Sequence, residues 1–119
     1  MSPTDPVLLA LRDAQRRFAA ERDWQQFHSP KNLAAALSVE AAELLEHFQW
    51  IGEDASRTLP EAARARVAEE LADVLLYLVR LADELDVDLA AAAFAKLARN
   101  AEKYPVERSR GSARKYDEL

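Results

Sequence analysis

The chain has 119 residues, 16 Lys plus Arg against 21 Asp plus Glu, and a formal net charge of −5. That length suits one domain with a continuous core, and the lack of cysteine excludes disulfide frameworks and thiolate metal sites. The acidic balance argues against a nucleic-acid polymer as partner. No run approaches roughly 18 apolar residues and no basic segment leads into one, so a soluble cytoplasmic protein with no membrane partner is expected.

Twenty-four alanines against 2 glycines, with no Asn-Gly or Asp-Gly turn and no sustained polar–apolar alternation, predict an all-α fold. The first helix is expected from Pro6 to about Arg22, with proline in the first turn where its missing N–H costs nothing. The second opens at Ser29-Pro30, an N-cap followed by proline, and runs to about Trp50, before Gly52 releases it. The third starts at Thr58-Leu-Pro-Glu61, which fits a Thr-x-x-Glu capping box, and reaches about Leu85. The fourth is capped by Asp88 and ends at Tyr104, before Pro105. This pattern predicts a four-helix bundle over 1–104 with faces completed by another copy. Residues 105–119 form a basic tail of the same domain, extended unless docked.

On the third helix Val67, Leu71, Val74, Leu75, Leu78, Leu81 and Leu85 make the expected core stripe. Glu70, Asp73 and Tyr77 lie on one shoulder of it, while Glu69, Arg80 and Asp83 are expected to point well away. On the second helix Leu33, Leu37, Leu44 and Phe48 make the stripe, with Glu40 and Glu43 beside it. Consecutive helices joined by a short loop pack antiparallel, which brings Glu40-x-x-Glu43 level with Glu70-x-x-Asp73. Four converging carboxylates repel unless cations or protons neutralise them. An all-oxygen donor set selects Mg²⁺, with Mn²⁺ as a possible substitute, over zinc, copper or iron. A di-iron site would want Glu-x-x-His, and neither His28 nor His47 has a glutamate three positions before it.

Several segments together resemble the dCTP pyrophosphatases, within the all-α, MazG-like nucleoside triphosphate pyrophosphohydrolases. They are Phe18-Ala-Ala-Glu-Arg-Asp-Trp24, Phe27-His-Ser-Pro-Lys-Asn-Leu33, Glu40-Ala-Ala-Glu43 with Phe48-Gln-Trp50, Glu70-Leu-Ala-Asp73 with Tyr77, and Arg114-Lys-Tyr116. The resemblance spans about residues 12 to 118. It implies Mg²⁺-dependent hydrolysis of dCTP or a modified dCTP between the α and β phosphates, giving the monophosphate and pyrophosphate, with metal on Glu40, Glu43, Glu70 and Asp73. Glu43, with Glu40 beside it, would take the proton of the attacking water. The resemblance further places Trp24, Trp50 and Tyr77 around the base, Lys96 and Asn100 on the nucleotide, and Arg114 and Lys115 over the triphosphate, sometimes that of a neighbouring subunit. It also implies a homotetramer.

One position departs from the family: a histidine that helps read cytosine corresponds to Gln15 here. An amide still offers a donor and an acceptor to a base edge, so other pyrimidine triphosphates stay open. The alternatives are a broad-specificity or dUTP-directed pyrophosphatase of the same superfamily, and a non-catalytic helical oligomerisation or adaptor module.

Overall fold

A computed structural model describes residues 5–119; residues 1–4 of the expected helical domain lie outside the described residues. The order is α1 (Pro6–Glu21), a 3₁₀ turn (Gln25–Phe27), α2 (Pro30–Glu46), α3 (Glu53–Ser56), α4 (Glu61–Glu84), α5 (Leu89–Lys103), α6 (Val106–Ser109) and a closing 3₁₀ turn (Tyr116–Glu118). No strand occurs among the described residues, and no helix there is long and apolar enough to cross a membrane.

The caps explain most boundaries. Asp5 Oδ1 accepts from the N–H groups of Val7 and Leu8, both at 3.0 Å, and starts α1. Ser29 Oγ accepts from Asn32 N–H at 3.1 Å for α2, and Asp88 Oδ1 from Ala91 N–H at 3.1 Å for α5. Helices α1 and α4 end in the same device. Asp23 and Asp86 take left-handed conformations, each with φ 54°, and the next residue donates back to the helix, Trp24 to Ala19 and Val87 to Ala82, both at 2.9 Å. These are Schellman closures with aspartate where glycine is commonest.

Two expected boundaries shift. Helix α2 ends at Glu46 rather than near Trp50, because the chain tightens into turns in which Phe48 N–H donates to Leu45 O at 2.9 Å. Gly52 is then the N-cap of α3 rather than the release of α2. The Thr58 capping box is not formed: Pro60 is the N-cap of α4, with φ −57° and ψ 152°, and no side chain caps that end. A helix beginning at Thr58 would need Leu59 in helical conformation, which the following proline disfavours.

The main packing joins α2 to α4 and α1 to α4, so α4 is the central helix. Among the described residues Ala19, Leu33, Val67 and Val79 are the buried apolar ones. The expected stripe on α4 holds only in part. Val67 is buried, but Leu71, Leu75 and Leu85 are exposed, Leu71 at 53%. Conversely Arg80, expected to face solvent, is 6% exposed, and the Asp83 side chain is 8% exposed, because α1 and the chain around His28 cover that side of α4.

Helix α5 packs on none of the others to a comparable extent, so the closed four-helix bundle is not formed within one chain. The radius of gyration is 17.6 Å, against about 13–14 Å for a compact chain of this length. The tail is docked rather than extended: the Tyr116 ring meets Tyr104 edge-on at 6.1 Å between centroids, and Lys103 Nζ lies 4.9 Å from the Tyr116 ring centre.

Candidate active site

Helices α2 and α4 bring Glu40, Glu43 and Glu70 together, with one carboxylate oxygen of each within 4.8 Å of the others. The spacing of three residues in Glu40-x-x-Glu43 puts both side chains on one face of α2, and α4, packed on α2, supplies Glu70. Oε2 of Glu40 and Oε2 of Glu70 are buried without a hydrogen-bond partner. Ionised carboxylates offer no donor to one another, so a proton or a cation must fill the space between them. The Glu40 carboxyl is pushed up to about 7, first by burial, then by the adjoining Glu43 and Glu70 carboxyls and the charges of Glu43 and Asp73. His47 Nε2 stands 3.8 Å from Glu70 Oε1 at the edge of the group. Buried, unpartnered oxygens from clustered carboxylates suit a hard divalent cation.

Asp73 is not in the three-carboxylate group. One turn along α4 from Glu70, it lines a cavity of about 390 Å³ between α1, α4 and the segment that follows α1. Phe18, Trp24, Leu76 and Tyr77 give that cavity apolar walls, and Gln15, His28, Asp73 and Arg80 are its polar members. The Schellman closure of α1 sets Trp24 beside Phe18, ring centroids 5.7 Å apart and edge-on. Arg22 covers the Phe18 ring, its guanidinium carbon 3.7 Å from the centroid. Gln15 Nε2 is buried and has no hydrogen-bond partner. An aromatic-walled cavity with a spare amide donor, next to a carboxylate cluster, can seat a flat polar ring and present its anionic end to a cation.

Of the residues singled out in the sequence, Gln15, Trp24, Tyr77 and Asp73 therefore share one cavity, and Glu40, Glu43 and Glu70 converge beside Asp73. Trp50 is 88% exposed and stands off the cavity. Lys96 and Asn100 lie on α5, and Arg114 and Lys115 on the tail, all outside the cavity wall. Sequence reasoning missed His28 and Arg80. His28 lies inside the Phe27–Leu33 segment of the resemblance without a role of its own, and Arg80 falls on the side of α4 that the apolar stripe marks as solvated.

This chain belongs to the MazG-like family, whose sequence profile matches residues 35–119. It is 49% identical over 117 residues to dCTP pyrophosphatase 1 of Mus musculus, covering 97% of this chain and 69% of that one. It is 47% identical, with the same coverage, to dCTP pyrophosphatase 1 of Homo sapiens. The crystal structure of a pyrophosphatase from Archaeoglobus fulgidus superposes with a TM-score of 0.79 at 39% identity, covering 88% of this chain and 98% of that chain.

Proposed function

We propose that this protein is a cytoplasmic, Mg²⁺-dependent nucleoside triphosphate pyrophosphohydrolase. Its substrate is dCTP or a 5-modified dCTP, its products are the monophosphate and pyrophosphate, and its role is to clear the nucleotide pool. The observation that carries this reading is that Asp73 lines the cavity while its charge acts on Glu40 of the carboxylate cluster, supported by the dCTP pyrophosphatase relatives.

Glu40, Glu43, Glu70 and Asp73 would hold the cation, which when bound neutralises the triphosphate and supplies Lewis-acid polarisation and a more acidic bound water. Glu43, with Glu40 beside it, accepts the proton of the water that attacks the α-phosphorus, and the bond from that phosphorus to the bridging oxygen breaks to release pyrophosphate. Trp24 and Tyr77 hold the base between aromatic faces, and Gln15 meets its polar edge. The Gln15 amide can present either end, so acceptance of dUTP or other pyrimidine triphosphates accompanies this reading.

A homo-oligomer, of the tetrameric kind, completes the site. Phe94 and Leu97 on α5 are 73% and 62% exposed, and among the described residues α5 packs far less on the other helices than α1, α2 and α4 pack together. Lys96 and Asn100 on the same helix, Trp50, and the tail residues Arg114 and Lys115 serve the nucleotide of an adjoining copy.

The test is a panel of triphosphates assayed for pyrophosphate release with Mg²⁺. Equimolar dCMP and pyrophosphate are expected, with activity abolished by Glu43→Ala and by Asp73→Ala while helical content is kept. Full activity in both variants would show that the carboxylates are not the metal site.

A further inference from the structure

Arg80 donates its Nε–H to Nδ1 of His28 at 3.2 Å, across 52 residues of sequence. Its other nitrogens are also committed: Nη1 donates to Asp83 Oδ2 at 3.2 Å, and Nη2 to Glu84 Oε1. Asp83 is in turn held by Arg16 from α1. The guanidinium is therefore fixed from three sides within a side chain that is 7% exposed.

A guanidinium has only donors, so Nδ1 of His28 must be the accepting, unprotonated nitrogen. The ring is then neutral and carries its proton on Nε2. Burial, and after it the Arg80 charge, push the His28 pKa down, which keeps that state near neutral pH. His28 lines the cavity, and its ring meets Trp24 edge-on at 6.4 Å between centroids. The remaining polar group of His28 is thus one N–H donor of fixed identity, unlike Gln15, which can turn either end of its amide inward.

We propose that Arg80 is a positioning residue for base recognition: by occupying Nδ1 it holds His28 as the Nε2–H tautomer, which donates to the ring carbonyl of a pyrimidine base in the cavity. Every pyrimidine base carries the carbonyl next to its sugar-bearing nitrogen, so this donor selects pyrimidine nucleotides as a class. Gln15 then meets the variable edge that separates cytosine from uracil. The inference rests on reading the cavity as the nucleotide pocket.

The ¹⁵N NMR signals of the imidazole distinguish the two neutral tautomers, and with 2 histidines in the chain they are assigned from the spectrum of His28→Gln. At neutral pH the wild type is expected to show the single Nε2–H form, with Nε2 shifting on addition of deoxycytidine. Arg80→Leu, which leaves Asp83 with Arg16, is expected to mix the tautomers. It should raise the KM for dCTP about three- to tenfold, the worth of one hydrogen bond, with little change in kcat or metal affinity. Arg80→Lys, which returns a donor, should restore most of both. If Arg80→Leu does not fold, His28→Leu keeps the Arg80–Asp83–Glu84 network and should raise KM similarly, with recovery in His28→Gln.

An Nδ1–H tautomer in the wild type, no shift with deoxycytidine, or an unchanged KM in the folded variants overturns the proposal. Hydrolysis of dCTP with unchanged KM in these variants would sink the positioning role alone. Deoxycytidine shifting Nε2 in a protein that hydrolyses no triphosphate would support the recognition device and defeat the proposed activity.

Discussion

Arg16 of α1 and Asp83 of α4 form a two-pronged ion pair, Nε donating to Oδ2 at 2.9 Å and Nη2 to Oδ1. The pair ties the cavity's outer helix to the central one, and the same carboxylate anchors Arg80. Removing it leaves a buried guanidinium short of a partner, and one-sided loss from a buried pair is costly. Asp83→Ala is expected to lower the unfolding free energy by about 2–4 kcal/mol in urea at pH 7. The Asp83 carboxyl is held below the ordinary carboxylate range, first by the Arg16 hydrogen bond. Its contribution is therefore complete above about pH 4 and is lost as the pH falls. The gap between wild type and Asp83→Ala should close in acid; a gap that persisted at pH 2 would count against the ion pair as its source.

Glu40 has the opposite sign. Its carboxyl sits at about 7 in the folded protein, above the usual value for glutamate, so the metal-free fold favours the protonated form. The stability this supplies is full below about pH 4 and drains away as the pH rises through 7. Thermal melting in a chelator should fall between pH 5 and pH 8, and Glu40→Gln should flatten that slope. Mg²⁺ should raise the melting temperature most at the alkaline end, since the cation replaces the proton. A pH-independent melting temperature in both proteins would show that the carboxylates are not crowded as described.

Trp24 and Trp50 separate two kinds of aromatic match to the family. Trp24 is fixed by the helix closure at Asp23 and lines the cavity with Phe18, whereas Trp50 stands 88% exposed. In Trp50→Phe, Trp24 is the sole tryptophan, and its emission should change when dCTP is added with Ca²⁺ in place of Mg²⁺. Base–aromatic stacking contributes about 1–3 kcal/mol, so Trp24→Ala should raise KM about ten- to a hundredfold. An unaltered KM would remove Trp24 from the pocket wall.

The helices and the meeting of Glu40-x-x-Glu43 with Glu70 were legible in the sequence because both follow from simple rules: caps, a period of 3.6, and the packing of neighbouring helices on one another, which holds here although α3 lies in the connection. The buried side of Arg80 and Asp83 was not. Helical periodicity reports which residues are apolar, and charged residues buried as a mutually satisfied network look in sequence like a solvated face. The exposed Leu71 and Leu75 fail for the complementary reason: an apolar stripe states that a surface needs covering, without stating that the same chain covers it. The Thr58 box misled because its pattern ignores the restriction that Pro60 places on Leu59.

That uncovered apolar surface carries the last prediction. Phe94 and Leu97 face solvent one turn apart on α5, Leu71 and Leu75 are exposed on α4, and a helix with so little internal packing gains little from its own chain. Burying a large apolar side chain is worth about 1.5–3 kcal/mol, so pairing such faces between copies rewards association at low concentration. Analytical ultracentrifugation should find an oligomer in the wild type and a smaller species in Phe94→Glu/Leu97→Glu. Because Lys96 and Asn100 lie on the same helix, dissociation should cost substrate affinity even though the Glu40, Glu43 and Glu70 cluster lies within one chain. The dissociated variant should therefore still be stabilised by Mg²⁺ while its KM for dCTP rises. Loss of Mg²⁺ stabilisation together with association would mean that the cation site itself depends on the interface.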